Sequence, residues 1–310
     1  MASVKAAAVQ ATPVFLDRDA TVDKVCLLIK QAGAEGAGLI VFPETFIPTY
    51  PDWVWRAPAW EGPFGDLHER LLDQSVQIPG PATDAIGKAA KRAKAYVTVG
   101  VNEREPLGGT VYNSLVYFGP DGRILGSHRK LMPTGGERLV WGMGDGSDLQ
   151  VHPTPFGRLG GLICWENYMP LARMALYAKG IEVWVAPTWD QGEEWIATIK
   201  HIAKEGRVYV ISCAPLLRGS DVPDDLPGRE LWGGEDDWMN EGWATIVDPH
   251  GEIVAGPLKK EEGIVYADLD LGVVRRNRLE FDPVGHYARP DVFRLVVDES
   301  PKRSVSNDQA

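Results

Sequence analysis

A thiol, a carboxylate and an ammonium occupy the same kind of position in this chain. The apolar run Leu159 to Cys164 ends in the cysteine, and Glu166 and Asn167 follow before Pro170 opens a helix. Leu39-Ile40-Val41-Phe42 delivers Glu44 through Pro43, and Ile124-Leu125 leads through His128 and Arg129 to Lys130. Reactive groups sit at such strand exits. A thiol attacks as thiolate, so it needs a base to take its proton and a positive charge to stabilise the anion. Glu44 and Lys130 are of those two types. Taken singly, Glu44 reads as a helix cap, Lys130 as a solvated strand end and Cys164 as a small core residue; their joint appearance at three exits favours chemistry. His128, two residues before Lys130 and on the same side of an extended strand, is a rival base. Adjacency in sequence does not make a catalytic pair, so it reads as a pocket or structural residue.

The elements that must hold these groups follow an α/β rhythm. Apolar strands at Ala6 to Val9, Leu39 to Phe42 and Tyr96 to Val101 alternate with helical patterns at Thr21 to Gln31 and Thr83 to Lys94. A hairpin turns through Gly119-Pro120-Asp121-Gly122, where Pro and Gly supply the dihedrals of a tight turn. The second half repeats the plan: strand Leu159 to Cys164, helix Leu171 to Ala178, strand Val183 to Ala186, helix Glu194 to Lys204, strand Val208 to Cys213, and a hairpin through Asp248-Pro249-His250-Gly251. Two such half-units close as two sheets packed face to face with helices outside, an α-β-β-α sandwich of two mixed sheets. We expect one domain over residues 1–298. Leu216 to Gly242 reads as a surface excursion and subunit contact, Val292 to Val297 as a strand-like contact segment, and 299–310 as a disordered polar tail without core residues.

Composition excludes several classes of function. The chain has 310 residues, a formal charge of −11 and 44% hydrophobic residues. With a sequence pI near 5.1, it lacks the basic face that nucleic acid or an anionic membrane requires. No run of about 18 apolar residues appears, and the N-terminus lacks a secretory pattern, so the protein is expected to be cytoplasmic. Three cysteines are too few and too scattered for a disulfide framework or a zinc site. Cys26 lies on a core-facing helical stripe with Val22, Val25 and Ile29, and Cys213 alternates with Tyr209 and Ile211 in a strand, so both read as structural. Gly142-x-Gly144-x-Gly146 follows no strand and reads as a loop. No metal, nucleotide or redox cofactor is expected.

The segments Leu39-Ile40-Val41-Phe42-Pro43-Glu44-Thr45, His128-Arg129-Lys130-Leu131-Met132-Pro133-Thr134 and Gly160-Gly161-Leu162-Ile163-Cys164-Trp165-Glu166-Asn167 resemble the three signature blocks of the nitrilase superfamily, in order and spacing. The resemblance covers about Val4 to Val297. The Cys-Trp-Glu-Asn form is similar to the nitrilase branch rather than to the amidase branches, which commonly place Tyr and Asp after the cysteine. By that resemblance the fold is the α-β-β-α sandwich, Glu44 the general base, Lys130 the stabilising cation, Cys164 the nucleophile, and Glu137 a second carboxylate oriented toward the triad. It also implies a homodimer that builds larger homo-oligomers or spirals.

On these residue types, Cys164 would attack a nitrile carbon, pass through a thioimidate and a thioester, and release a carboxylic acid and ammonia. The Trp165 backbone N–H is a second donor to the developing charge. Phe46 to Trp55 forms an aromatic, proline-rich loop, in which Trp53 and Trp55, with the nearby Trp60, either wall the pocket or pack against the body or a neighbouring subunit. Tyr50, Trp165 and Trp189 are the pocket residues, and their bulk suits an apolar nitrile substituent. The alternatives are an amidase or carbamoylase with the same triad, a cyanide dihydratase, and a non-catalytic assembly module.

Overall fold

Alternation along the strands decides the layers. The computed structural model describes residues 3–302. The first half runs β1 (Ser3–Gln10), α1 (Arg18–Ala34), β2 (Leu39–Val41), α2 (Phe64–Gln74), α3 (Pro81–Ala93), β3 (Tyr96–Arg104), β4 (Val111–Phe118) and β5 (Ile124–Arg129). The second runs β6 (His152–Thr154), β7 (Gly157–Gly161), α4 (Pro170–Ala178), β8 (Val183–Pro187), α5 (Glu193–Gly206), β9 (Tyr209–Cys213), β10 (Leu216–Arg218), β11 (Trp238–Val247), β12 (Ile253–Lys259), β13 (Gly263–Asp270) and α6 (Leu271–Asn277). One six-stranded sheet has the order β13-β1-β2-β3-β4-β5, and a seven-stranded sheet has the order β10-β11-β9-β8-β7-β6 with β12 on β11. The central trios β1-β2-β3 and β7-β8-β9 are parallel and their flanking strands antiparallel, so both sheets are mixed.

Odd and even positions of each strand go to different cores. Ala6, Ala8, Leu39, Val41 and Leu115 of the first sheet pack against Val183, Val185, Ile211 and Ile246 of the second. Ala7, Val9 and Ile40 instead meet Val22, Val25 and Ile29 of α1 and Ile86 and Ala90 of α3. Trp184, Ala186 and Val210 meet Leu176 of α4 and Ile199 and Ala203 of α5. Each sheet is therefore covered on both faces, as parallel central strands require. Every fully buried Val, Leu or Ile adds about 1.5–3 kcal/mol of transfer free energy. This is the α-β-β-α sandwich; Glu44 and Cys164 emerge beyond the parallel strands β2 and β7, and Lys130 beyond the antiparallel strand β5. Among the described residues, no helix is long and apolar enough to cross a membrane.

Two expectations change. Leu216 to Gly242 is not a surface excursion: Val222, Leu226 and Trp232 are buried with Phe15, Trp53 and Leu67. Trp232 meets Phe15 edge to face at 5.4 Å, so apolar burial ties down a segment whose Gly, Pro and carboxylates suggested a loop. Val292 to Val297 forms no strand, because among the described residues no sheet edge pairs with it; Phe293 and Val296 are exposed. Of the presumed tail, Glu299 pairs with Lys179 at 2.7 Å and the Lys302 N–H donates to Asp145 at 2.7 Å. Residues 303–310 lie outside the described residues.

Candidate active site

The base candidate is set by a tight approach of two segments. Beyond β2 the chain turns through Thr45, whose φ of 38° is left-handed, and the Glu44 carboxylate is buried. A Cβ on Gly100 of β3 would lie 2.3 Å from the Pro43 carbonyl oxygen and 2.5 Å from the Thr45 nitrogen. Glycine is thus required for β3 to support this turn. Asn113 Nδ2 on β4 donates to Glu44 Oε1 at 2.6 Å, and the Trp189 backbone N–H donates to Oε2 at 2.6 Å. Lys130 Nζ, one residue past β5, donates to Glu44 Oε1 at 2.9 Å and to Glu137 Oε2 at 2.8 Å. Glu137 is fixed in turn by the Tyr50 hydroxyl at 2.7 Å and the Thr134 N–H at 2.6 Å.

Cys164 sits on an elbow. Strand β7 ends at Gly161, three residues earlier than the sequence pattern suggested, and Cys164 opens a 3-10 turn through Tyr168. Its φ of 50° is strained for a residue with a Cβ. Asn167 holds the elbow by donating from Nδ2 to the Leu162 and Cys164 carbonyls at 2.9 and 2.8 Å, while its Oδ1 accepts from the Trp184 indole at 2.9 Å. Thr188 Oγ1 donates to the sulfur at 3.2 Å. Because the next residue, Trp189, donates to Glu44, the exit of β8 bridges the thiol and the carboxylate. The Glu166 N–H is committed to the Ile163 carbonyl at 3.1 Å. Among the described residues the Trp165 N–H has no acceptor, which leaves it free for a reacting atom.

Electrostatics follow from burial and one shared cation. Burial raises the Glu44 pKa, Lys130 opposes that, and Glu137 adds to it. Lys130 is held protonated well above its usual range: burial disfavours its charge, but Glu44, Cys164 and Glu137 outweigh it. Burial also pushes the Cys164 thiol up, Glu44 reinforces this, and Lys130 only partly offsets both. The resting sulfur is therefore a neutral thiol next to a carboxylate with enhanced basicity. Among the described residues no cluster of His, Cys, Asp and Glu is arranged to hold a metal ion.

Cys164 opens into a cavity of about 270 Å³ walled by Tyr50, Trp55, Trp165 and Trp189, with Thr134, Glu137 and Asp190 as its polar lining. Tyr50 and Trp189 are stacked, centroids 4.2 Å apart and 6° from parallel. The Trp55 indole donates to the Tyr50 hydroxyl at 3.0 Å, and the Trp165 indole donates to Asp190 at 2.8 Å. Trp53 is buried and Trp60 is exposed, so neither joins this wall.

Seven of the eight residues singled out from the sequence, Glu44, Tyr50, Lys130, Glu137, Cys164, Trp165 and Trp189, converge here. His128 does not line the cavity, which corrects its pocket reading. Its Nδ1 lies 2.9 Å from Asp148 and its Nε2 3.1 Å from Glu166. Burial opposes charging the ring, but Glu166 and Asp148 outweigh it and lift its pKa to about 10. An imidazolium so held cannot accept the thiol proton near neutral pH. Glu166 meanwhile accepts from the Leu131 and Ile163 N–H groups at 2.6 and 2.7 Å, so it ties the residue after Lys130 to the residue before Cys164.

Asn113, Glu166 and Thr188 were missed. Asn113-Ser114 interrupts the apolar run of β4, and Thr188 lies at a fourth strand exit from which only Trp189 was taken; both signals were legible. The glycine stretch is structural: a Cβ on Gly144 would lie 2.2 Å from the Arg129 oxygen, and its N–H donates to Lys130 at 2.8 Å.

Comparison with known proteins gives the family of the chain. The family described as carbon-nitrogen hydrolase matches residues 5–278. An aliphatic nitrilase of Sinorhizobium fredii (strain HH103) is 47% identical over 98% of this chain and 99% of its own. Nitrilase 2 of Arabidopsis thaliana is 42% identical over 98% of this chain and 91% of its own. Among solved structures, Saccharomyces cerevisiae Nit3, a member of branch 10 of the nitrilase superfamily, shares the fold with a TM-score of 0.72 at 22% identity, over 92% of this chain and 97% of that one.

Proposed function

The chain belongs to the carbon-nitrogen hydrolase family, in its nitrilase branch, and on that premise we propose that it hydrolyses an organic nitrile to the carboxylic acid and ammonia through a covalent intermediate on Cys164. The observation that supports these roles is one ion cluster: the Lys130 ammonium lies between Glu44 and Glu137 at 2.9 and 2.8 Å, and the charges of Glu44 and Lys130 both act on the thiol. The thiol proton passes to Glu44 as sulfur bonds to the nitrile carbon, because burial disfavours a standing thiolate. The nitrogen, where charge develops, takes that proton from Glu44 and gives a thioimidate, which returns Glu44 to its carboxylate form. Lys130 and the Trp165 N–H stabilise that charge; losing one such donor costs about 10²–10³ in rate. Water deprotonated by Glu44 adds to the carbon, the C–N bond breaks and ammonia leaves, forming a thioester. A second water breaks the C–S bond and restores the thiol. Glu137 orients Lys130.

Four aromatic rings around the cavity support a substrate with an apolar substituent over hydrogen cyanide, and the named relatives favour a nitrile over an amide or carbamoyl group. The free cysteines Cys26, Cys164 and Cys213 suit the reducing cytoplasm. Exposed Leu279, Tyr287, Val292, Phe293 and Val296 support the homodimer and larger homo-oligomers. Residues up to 298 carry all of the site, in keeping with one domain. The test is ammonia and acid release from aliphatic, aryl and arylacetic nitriles, their matching amides, and cyanide. Nitriles are expected to be the best substrates; faster release from the amides or from cyanide would overturn the reading.

A further inference from the structure

Resting on that nitrile-hydrolase reading, we infer that the site selects by charge: it takes neutral or cationic nitriles and rejects those bearing a carboxylate, with Asp190 setting the preference. The cavity is lined by two carboxylates, Glu137 and Asp190, and, among the described residues, by no lysine or arginine. Behind the wall, the Lys130 ammonium is already shared between Glu44 and Glu137. Two carboxylates around one ammonium leave the inner end of the site negative.

At the outer end, the hydrogen-bond partners of the Asp190 carboxylate among the described residues are neutral. Its Oδ2 accepts from the Trp165 indole at 2.8 Å and its Oδ1 from the Gln191 N–H at 2.8 Å. These bonds fix the group without cancelling its charge. Exposed Glu193 and Glu194 open α5 three and four residues later and add charge of the same sign. A substrate carboxylate entering here sheds water, meets no counter-charge and faces a fixed anion, which is discrimination by repulsion. An ammonium meets that anion and aromatic faces that favour cations.

The test uses the full chain and measures kcat/KM for ammonia release from ω-cyanobutanoate, its neutral near-isostere ω-cyanobutanamide, neutral valeronitrile and cationic δ-aminovaleronitrile, each at low and high salt. Expected for the native protein is a kcat/KM for ω-cyanobutanoate at least about tenfold below that of the amide, carried mainly in KM and shrinking with salt as screening predicts. Asp190→Asn keeps an acceptor for Trp165 while removing the charge, and should raise the anion-to-neutral ratio about five- to tenfold and lower the cation-to-neutral ratio. Equal efficiency for ω-cyanobutanoate and ω-cyanobutanamide in the native protein, or a ratio unmoved by Asp190→Asn, overturns the charge selection. The neutral nitriles separate the two levels: if the native protein releases ammonia from no nitrile at all, the parent reading has failed, and this one with it.

Discussion

Replacing His128 with Asn separates structural charge from catalytic base. In the native protein the ring is buried, and its pKa rises from 6.5 to about 10 because Glu166 and Asp148 outweigh the cost of burial. At ~1.4 kcal/mol per pH unit this corresponds to on the order of 5 kcal/mol of stabilisation. The sign follows from linkage: a pKa raised on folding gives stability that is complete below pH 6.5 and is lost as pH rises toward about 10. Chemical denaturation of the native protein between pH 6 and pH 10 should therefore show a falling midpoint. In His128→Asn the fall over that window should be largely absent, and stability near neutral pH should drop by about 3–5 kcal/mol, because two carboxylates lose their buried partner. Turnover of the folded variant should weaken without being abolished, since Glu166 still links Leu131 to Ile163. An unchanged pH dependence of stability would refute the ion-chain reasoning. Turnover abolished in a variant that still folds would return His128 to the role of base.

Glu44→Gln should keep the fold and lose about 10²–10⁴-fold in kcat, the usual worth of a positioned base; activity close to native would remove Glu44 from the mechanism. Because burial raises the Glu44 pKa above the ordinary glutamate value of 4.5, and the base works only when ionised, the acid limb of the kcat/KM profile should lie above pH 4.5. A limb at or below that value would contradict the burial argument. Gly100→Ala places a Cβ 2.3 Å from the Pro43 oxygen, so it should cost about 1–3 kcal/mol of stability and more than tenfold in turnover by moving Glu44. A fully active, stable Gly100→Ala protein would show that the close approach is not needed.

Strand periodicity and the exit rule recover much of the architecture and of the site from sequence. Ala6 to Val9 and Val183 to Ala186 alternate because each strand feeds two cores, and the polar residues just past β2, β5 and β7 are the ones that meet. Hydrogen bonds between distant elements are not legible in this way. Nothing near Glu166 in the chain announces that its carboxylate receives the N–H of Leu131, and His128 could be placed beside Lys130 but not assigned to an ion chain facing away from the cavity. The helix Phe64–Gln74 has the buried stripe Phe64, Leu67 and Leu71, but it is short and follows directly on a stretch rich in Trp, Pro and Gly that obscures where it starts. Trp232 shows the converse: a segment rich in Gly and Asp is held by Trp232, Val222 and Leu226, whose partners Phe15, Trp53 and Leu67 lie far away in sequence.

The most direct measurement is mass spectrometry of rapidly quenched protein mixed with a turned-over nitrile. A covalent acyl or imidoyl adduct should appear on Cys164 within the turnover time, be missing from Glu44→Gln, and be lost together with ammonia release in Cys164→Ala. Ammonia release that persists in Cys164→Ala, or an adduct carried by Cys26 or Cys213, would contradict nucleophilic attack by this thiol.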